Sequence, residues 1–311
     1  MKKSAYIFLT IIIIFCVAVA AMIRPDVPVS ESKAQYANEN SKFIKVDGMD
    51  VHYRDEGQGV PILLLHGISS SLNTWDGWEE QLHNDYRIIR LDLPGFALTG
   101  ANPSQDYSIE FYISFIKSFL NKLGIDSCYM VGSSLGGYIT WNVASAYPDM
   151  VKKMILIDAA GYPFTPETTP FVLKLAKSPV APMFNKLTPR FLIAEVLEQV
   201  YGDESKITEE TVNRYYDHAL REGNRDAFLA VVQSLQFVQY KKLKTIKTPT
   251  LIMWGAQDDW VDPKLAKRFN ADLSNSRLIM YSGVGHIPME EIPEQTAADA
   301  KSFLVEDSVN Q

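Results

Sequence analysis

The stretch Cys128-Tyr129-Met130-Val131-Gly132-Ser133-Ser134-Leu135-Gly136-Gly137 runs an apolar segment into a helix start through a G-x-S-x-G turn. The apolar residues Cys128 to Val131 read as a short buried strand, and Leu135 to Tyr147 as a helix. Gly and Ser are common in turns, so the five-residue pattern is weak alone. A strand before it and a helix after it give it meaning. A turn this sharp accepts only small residues at Gly132 and Gly136, and it lifts Ser134 above the sheet edge with its hydroxyl outward. The Leu135 amide then lies at a helix N-terminus, where free N–H groups and the helix dipole favour negative charge. Ser133 occupies the x position and reads as structural.

Working outward, Phe43-Ile44-Lys45-Val46 and Val51-His52-Tyr53 are short alternating strands joined at Asp47-Gly48, a hairpin signal. Residues 61–65 and 154–157 are continuous apolar runs, and residues 87–91, 250–254 and 277–281 are further strands. Residues 109–123 place Tyr112, Phe115, Ile116, Phe119, Leu120 and Leu123 on one helical face, and Gly124 stops that helix. Residues 264–272 and 294–304 are also helical. Alternating strands and helices specify an α/β protein, a mostly parallel central sheet flanked by helices. Residues 161–245 break the alternation. They begin with Pro163, Pro166, Pro170, Pro179 and Pro182, then read helical, with Glu209 and Glu210 in one first turn and a second helix from about Asp226 to Val238. The organisation expected is a core over 42–160 and 246–311 with a helical insertion at 161–245.

A serine hydroxyl needs a base to take its proton. Of the histidines, His286 follows a strand in Gly283-Val284-Gly285-His286-Ile287-Pro288, at the sheet end where open α/β sheets bind ligands. His52 lies on the hairpin, and His83 and His218 on helical surface; these three read as solvated or structural. The base needs a carboxylate to fix its tautomer. Asp258, just past a strand in Trp254-Gly255-Ala256-Gln257-Asp258, is the favoured acid, and Asp158, which also ends a strand, is its rival. Asp259 and Asp262 read as loop caps. The resulting order is Ser134, Asp258, His286, nucleophile first and histidine last.

The chain has 311 residues and a formal net charge of −7. An acidic chain repels phosphate backbones, which argues against nucleic acid as a partner. No zinc-type Cys/His spacing is present. The two cysteines are Cys16 and Cys128, too few for a disulfide framework, and Cys128 reads as a buried inert thiol. At the N-terminus, Lys2 and Lys3 precede an apolar run from Ala5 to Ile23, an export signal over 1–23. Two fates fit it. Ala18-Val19-Ala20 offers a cleavage pattern, whereas the run is also about long enough to span a bilayer, which takes roughly 17–25 residues. Either fate exports the body, to be secreted, periplasmic or membrane-anchored. Residues 24–41 are polar and read as a linker, a tether or disordered lead-in.

Further marks are His66-Gly67-Ile68 after the strand at 61–65 and Asp92-Leu93-Pro94-Gly95-Phe96 after that at 87–91. With the Ser134 turn, Trp254-Gly255-Ala256-Gln257-Asp258 and Gly285-His286, they make the chain resemble the α/β-hydrolase superfamily, close to its bacterial esterases and lipases. The likeness runs from about Lys42 to Leu304. It implies that Ile68 and Leu135 give the oxyanion amides, that His66 and Asp92 are structural, and that 161–245 is the cap roofing the active site. The reaction implied is hydrolysis of carboxylic esters, small-molecule or lipid, through an acyl-enzyme on Ser134, with no metal or organic cofactor. Serine at the turn argues against dehalogenases and epoxide hydrolases, which carry aspartate there. Carbon–carbon bond hydrolases and cofactor-free perhydrolases of this fold keep the serine triad and stand as alternatives. So does a non-catalytic ligand-binding role, against which the intact triad weighs. Phe164, Phe171, Met183 and Phe184 near the cap's start are candidates for an acyl channel or for core.

Overall fold

A computed structural model of the chain describes residues 6–11, 13, 23–165, 167–184 and 186–306, with no side-chain description for Met183 and Phe184. Most of the N-terminal apolar run lies outside the described residues. Among the described residues no helix is long and apolar enough to cross a membrane.

The apolar runs form one eight-stranded sheet: β1 (Lys42–Val46), β2 (Met49–Glu56), β3 (Pro61–Leu65), β4 (Arg87–Leu91), β5 (Cys128–Ser133), β6 (Val151–Ile157), β7 (Thr250–Gly255) and β8 (Ser276–Tyr281). Their spatial order is β1-β2-β4-β3-β5-β6-β7-β8. The hairpin β1–β2 is antiparallel and joins β4 antiparallel; every other pairing is parallel. The run Ile62–Leu65 is fully buried because helices cover both faces of a parallel sheet. The helix Ile109–Lys122 buries the face expected of it, Tyr112, Phe115, Ile116, Phe119 and Leu120, and Ser108 caps it by accepting from the Phe111 amide.

Between β6 and β7 the described residues form only helices, among them Phe171–Ala176, Arg190–Val200, Glu209–Leu220 and Asn224–Ser234. These lie across the carboxyl ends of the central strands, where residues from both parts line a common cavity.

The segment read as a linker is ordered. Residues Val29–Tyr36 form a helix. Ahead of it, the Val27 amide donates to the Leu220 carbonyl at 2.8 Å, and the Glu222 amide donates to the Val27 carbonyl at 2.8 Å. Asp26 is ion-paired with the buried Arg225, and the Tyr36 hydroxyl donates to Asp217 at 2.6 Å. Polar composition suggested a tether, but Asp26, Gln35 and Tyr36 each meet a partner on the insertion. The stretch is a strap across the cap.

Candidate active site

Ser134 sits between β5 and the helix Leu135–Ala146 with φ 53° and ψ −113°, a conformation that costs a non-glycine residue about 1–3 kcal/mol. The neighbours hold it there. Its amide donates to the Ile157 carbonyl at 3.0 Å, and its carbonyl accepts from the Tyr138 and Ala160 amides, each at 3.0 Å. The two turn glycines are required by close approach. A Cβ on Gly136 would lie 2.1 Å from the Leu65 carbonyl oxygen, and one on Gly132 would lie 2.2 Å from the Gly136 oxygen.

His286 and Asp258 lie on the loops after β8 and β7. The His286 Nδ1 donates to Asp258 Oδ2 at 2.8 Å, both side chains being almost wholly buried. Asp258 Oδ1 accepts from the Trp260 amide at 2.7 Å and the Val261 amide at 2.9 Å, so both carboxylate oxygens are engaged. The two loops are tied together, since the Gln257 amide donates to the Val284 carbonyl at 2.9 Å.

Asp158, the rival acid, ends β6 at φ 44° and is wholly buried. Its Oδ1 accepts from the Gly255 amide at 2.9 Å, and it makes no hydrogen bond to His286. One oxygen each of Asp158 and Asp258 and a ring nitrogen of His286 lie within 4.8 Å of one another. Burial first, and then the Asp258 charge, push the Asp158 carboxyl well above the usual carboxylate range. Burial beside another carboxylate thus favours the neutral form of Asp158. This trio is the one grouping of three metal-ligating side chains among the described residues. Its imidazole is already committed to Asp258, so the donor set is that of an acid–base pair.

Ser134 and His286 line one cavity of about 190 Å³ between the sheet end and the cap. Its wall is mostly aliphatic, with Val172, Leu192, Val196 and Leu229 from the cap. A second, smaller hollow of about 20 Å³ meets it at Ser134 and Ile68 and includes Leu135 and Phe164. The two backbone positions implied for an oxyanion, Ile68 and Leu135, therefore flank Ser134. Leu135 opens its helix, where an N–H has no intrahelical partner.

A family model for the alpha/beta hydrolase fold matches residues 60–293, most of the chain. The chain belongs to the α/β-hydrolase family. Over 288 residues this hydrolase is 25% identical to 2-hydroxy-6-oxo-6-(2'-aminophenyl)hexa-2,4-dienoic acid hydrolase of Metapseudomonas resinovorans, covering 88% of this chain and 96% of that one. It is 26% identical to a mouse monoacylglycerol lipase over 258 residues, 80% of this chain and 76% of the other. Among solved structures, a bacterial membrane phospholipase A superposes with a TM-score of 0.74 at 23% identity, covering 98% of both chains, a likeness of fold.

The remaining histidines divide. His66 is a turn residue in this hydrolase: its Nδ1 donates to the Gly67 carbonyl at 2.7 Å, and its Nε2 accepts from the Leu93 amide at 2.9 Å. His52 bonds Asp92 at 2.7 Å, and Asp92 also accepts from the Leu72 and Leu98 amides, tying three segments together. His83 is partly exposed and bonds its own helix. His218 departs from its surface reading. It is 5% exposed and lines the cavity, because the strap covers what would otherwise be an outer helix face. Of the aromatics suggested for an acyl channel, Phe164 lines the small hollow and Phe171 is 68% exposed. The side chains of Met183 and Phe184 lie outside the described residues. Cys128 is buried, which pushes its thiol up to about 12.

Two contributors carried no mark in the sequence. Trp260 stacks on His286 with ring centres 5.9 Å apart and lines both hollows. Glu291 is 4% exposed, and its carboxylate accepts from the Gly285 amide at 2.9 Å and from the Gly202 and Asp203 amides at 3.0 Å each. It thereby ties the His286 loop to the cap. Neither residue belongs to a local pattern, so only packing reveals them.

Proposed function

We propose that this hydrolase cleaves carboxylic esters through an acyl-enzyme on Ser134, with His286 as base and Asp258 holding the His286 tautomer. The observation that carries the reading is the meeting at Ser134 of a large aliphatic cavity and a small hollow. An ester has two such parts, acyl and alcohol, on either side of the carbonyl that Ser134 attacks. In the proposed sequence, His286 takes the Ser134 proton as the hydroxyl adds to the carbonyl. The Ile68 and Leu135 amides receive the oxyanion, each such donor being worth roughly 10²–10³ in turnover. His286 then protonates the leaving alcohol, and water repeats the steps on the acyl-serine.

A carbon–carbon hydrolase of the same triad is the second reading, favoured by likeness to the dienoic acid hydrolase. An acidic substrate of that kind calls for a free cation in the cavity. Arg225, the one Lys or Arg among the described lining residues, is engaged by Asp26 and by the Arg24 carbonyl. This supports the uncharged ester, as does likeness to a monoacylglycerol lipase. The Lys2-Lys3 and apolar N-terminal segment supports an exported enzyme acting on external or lipid esters.

The test is hydrolysis of p-nitrophenyl esters, acetate through palmitate, by the full chain beside Ser134→Ala. Turnover lost in the variant, with fluorophosphonate labelling at Ser134 in the parent, is the expected result. A folded parent inert to every ester would move the assignment to carbon–carbon cleavage.

A further inference from the structure

The polar groups on the cavity wall are of two kinds. Most are satisfied. The Tyr215 hydroxyl donates to Glu290 at 3.0 Å and lies 3.3 Å from the Ser70 hydroxyl, and Arg225 is held as described. Four lining residues carry buried atoms with no partner: Ser133 Oγ, Trp260 Nε1, both ring nitrogens of His218, and Asn224 Oδ1. Ser133 and Trp260 stand beside Ser134 and His286, at the reacting end. His218 and Asn224 belong to the cap and have no part in the proposed chemistry. A buried polar group left unpaired costs about 1–3 kcal/mol, so two on one wall of a binding cavity call for an explanation.

We propose that His218 and Asn224 form a polar subsite in the cap wall, one that binds an uncharged hydroxyl group carried by an otherwise apolar ester. The inference deepens the ester-hydrolase reading and rests on it for the rest of the substrate.

Three features define what the subsite takes. The first is the Asn224 amide orientation. Its Nδ2 donates to the Ala97 carbonyl at 3.1 Å and to the His218 carbonyl at 2.7 Å. Turning the amide over would set its oxygen against both carbonyls, so Oδ1 is fixed as a free acceptor. The second is the state of His218. Burial foremost pushes its pKa down to about 4, so at neutral pH the ring is uncharged, with one N–H donor and one bare nitrogen. The third is charge: among the described lining residues Arg225 is the one Lys or Arg, and it is paired with Asp26. A carboxylate or ammonium entering here would be desolvated without a counter-ion. A hydroxyl both gives and accepts a hydrogen bond, which suits one wall carrying a fixed acceptor and a ring that offers both.

The subsite is also built. The strap's Tyr36 ring packs on His218 with centres 4.5 Å apart and a tilt of 45°, closing the ring's outer face. The Asn224 side chain is 4% exposed and pinned at two points. His218 lies two residues before the end of its helix and Asn224 opens the next, so the turn between two cap helices presents both groups.

The hydroxyl has two sources in an ester, the acyl chain or the alcohol, and two arms of one experiment separate them. The first compares p-nitrophenyl decanoate with decanoates hydroxylated at mid-chain and at the terminus. The second compares the methyl ester of a plain fatty acid with its glycerol monoester. The full chain is expected to favour the hydroxylated member of one arm by about tenfold in kcat/KM, the worth of roughly one good neutral hydrogen bond. His218→Phe, which keeps a ring on Tyr36, should abolish that preference, and His218→Gln should retain part of it. No preference in either arm, or one that survives His218→Phe, overturns the subsite. Should no ester turn over, the reaction assignment fails by itself, and binding decides the subsite. Octanediol should then raise the melting temperature of Ser134→Ala more than octanol does, and should lose that advantage in the His218→Phe background. Equal shifts would overturn it.

Discussion

The Asp258 carboxylate grips His286 through one oxygen at 2.8 Å and two backbone amides through the other. Its own loop thus holds the Asp258 carboxylate against the His286 ring. Asp158, within 4.8 Å of both, is anchored instead to the Gly255 amide.

The two acids should therefore respond unequally to the same isosteric change. Asp258→Asn offers His286 an amide that can stabilise the wrong tautomer, and turnover should fall about 10³–10⁴-fold. Asp158→Asn replaces a neutral acid with a neutral amide, and turnover should stay within about threefold, a change of roughly 0.7 kcal/mol. Steady-state rates of the two variants on one ester decide this, and equal losses would show that Asp158 shares the role.

Asp158 should also mark the pH dependence of stability. Its carboxyl is raised from an ordinary 3.8 in the folded chain. From there up to its folded-state value, the native protein holds a proton that the unfolded chain has released. Stability from this group therefore falls as pH rises through that window. Asparagine carries no such proton. Melting curves should show Asp158→Asn gaining on the parent from about pH 4 upward. A difference independent of pH would mean that the buried acid is not held protonated.

Glu291 serves the site from a distance. Glutamine there would set an NH₂ group against backbone N–H donors, at a cost of about 1–3 kcal/mol. Because one of those amides belongs to Gly285, beside His286, Glu291→Gln should lower kcat about tenfold while leaving KM nearly unchanged. A variant that loses stability but keeps kcat would confine Glu291 to holding the cap.

Gly136→Ala tests the approach of the Ser134 turn to β3. A Cβ 2.1 Å from the Leu65 carbonyl oxygen cannot be housed without backbone movement. The expected loss is about 3 kcal/mol or more, read by denaturant unfolding. Retained stability would show that the turn has room to shift.

The strap predicts a sharp effect of truncation. A chain starting at residue 42 loses Tyr36 from His218 and Asp26 from Arg225. With Asp26 partly exposed, its share is discounted, and the combined loss should be about 2 kcal/mol, or roughly 4–8 °C in melting temperature. Equal melting temperatures would make the strap dispensable.

The core was legible because its marks are local. A buried parallel strand is a short apolar run, the turn at Ser134 is a strand, two small residues and a helix, and Asp258 and His286 each lie on the loop after a strand. One periodicity and one chain neighbourhood suffice for each. Asp158 and Asp258 both follow strands, so the local pattern leaves two candidate acids. Which carboxylate the His286 ring meets depends on two loops converging.

The α/β sheet, the glycines that Ser134 requires, and the strand ends that carry Ser134, Asp258 and His286 are all written in local stretches of sequence. Tertiary structure alone decided that residues 24–41 strap the cap, that His218 lines a cavity, that Glu291 ties the His286 loop, and that burial raises the Asp158 carboxyl. The physical reason is the same for all four. Each depends on what lies against a side chain from a remote part of the chain, and burial and local dielectric belong to the packed whole. A polar residue in a polar stretch looks solvated until another segment covers it.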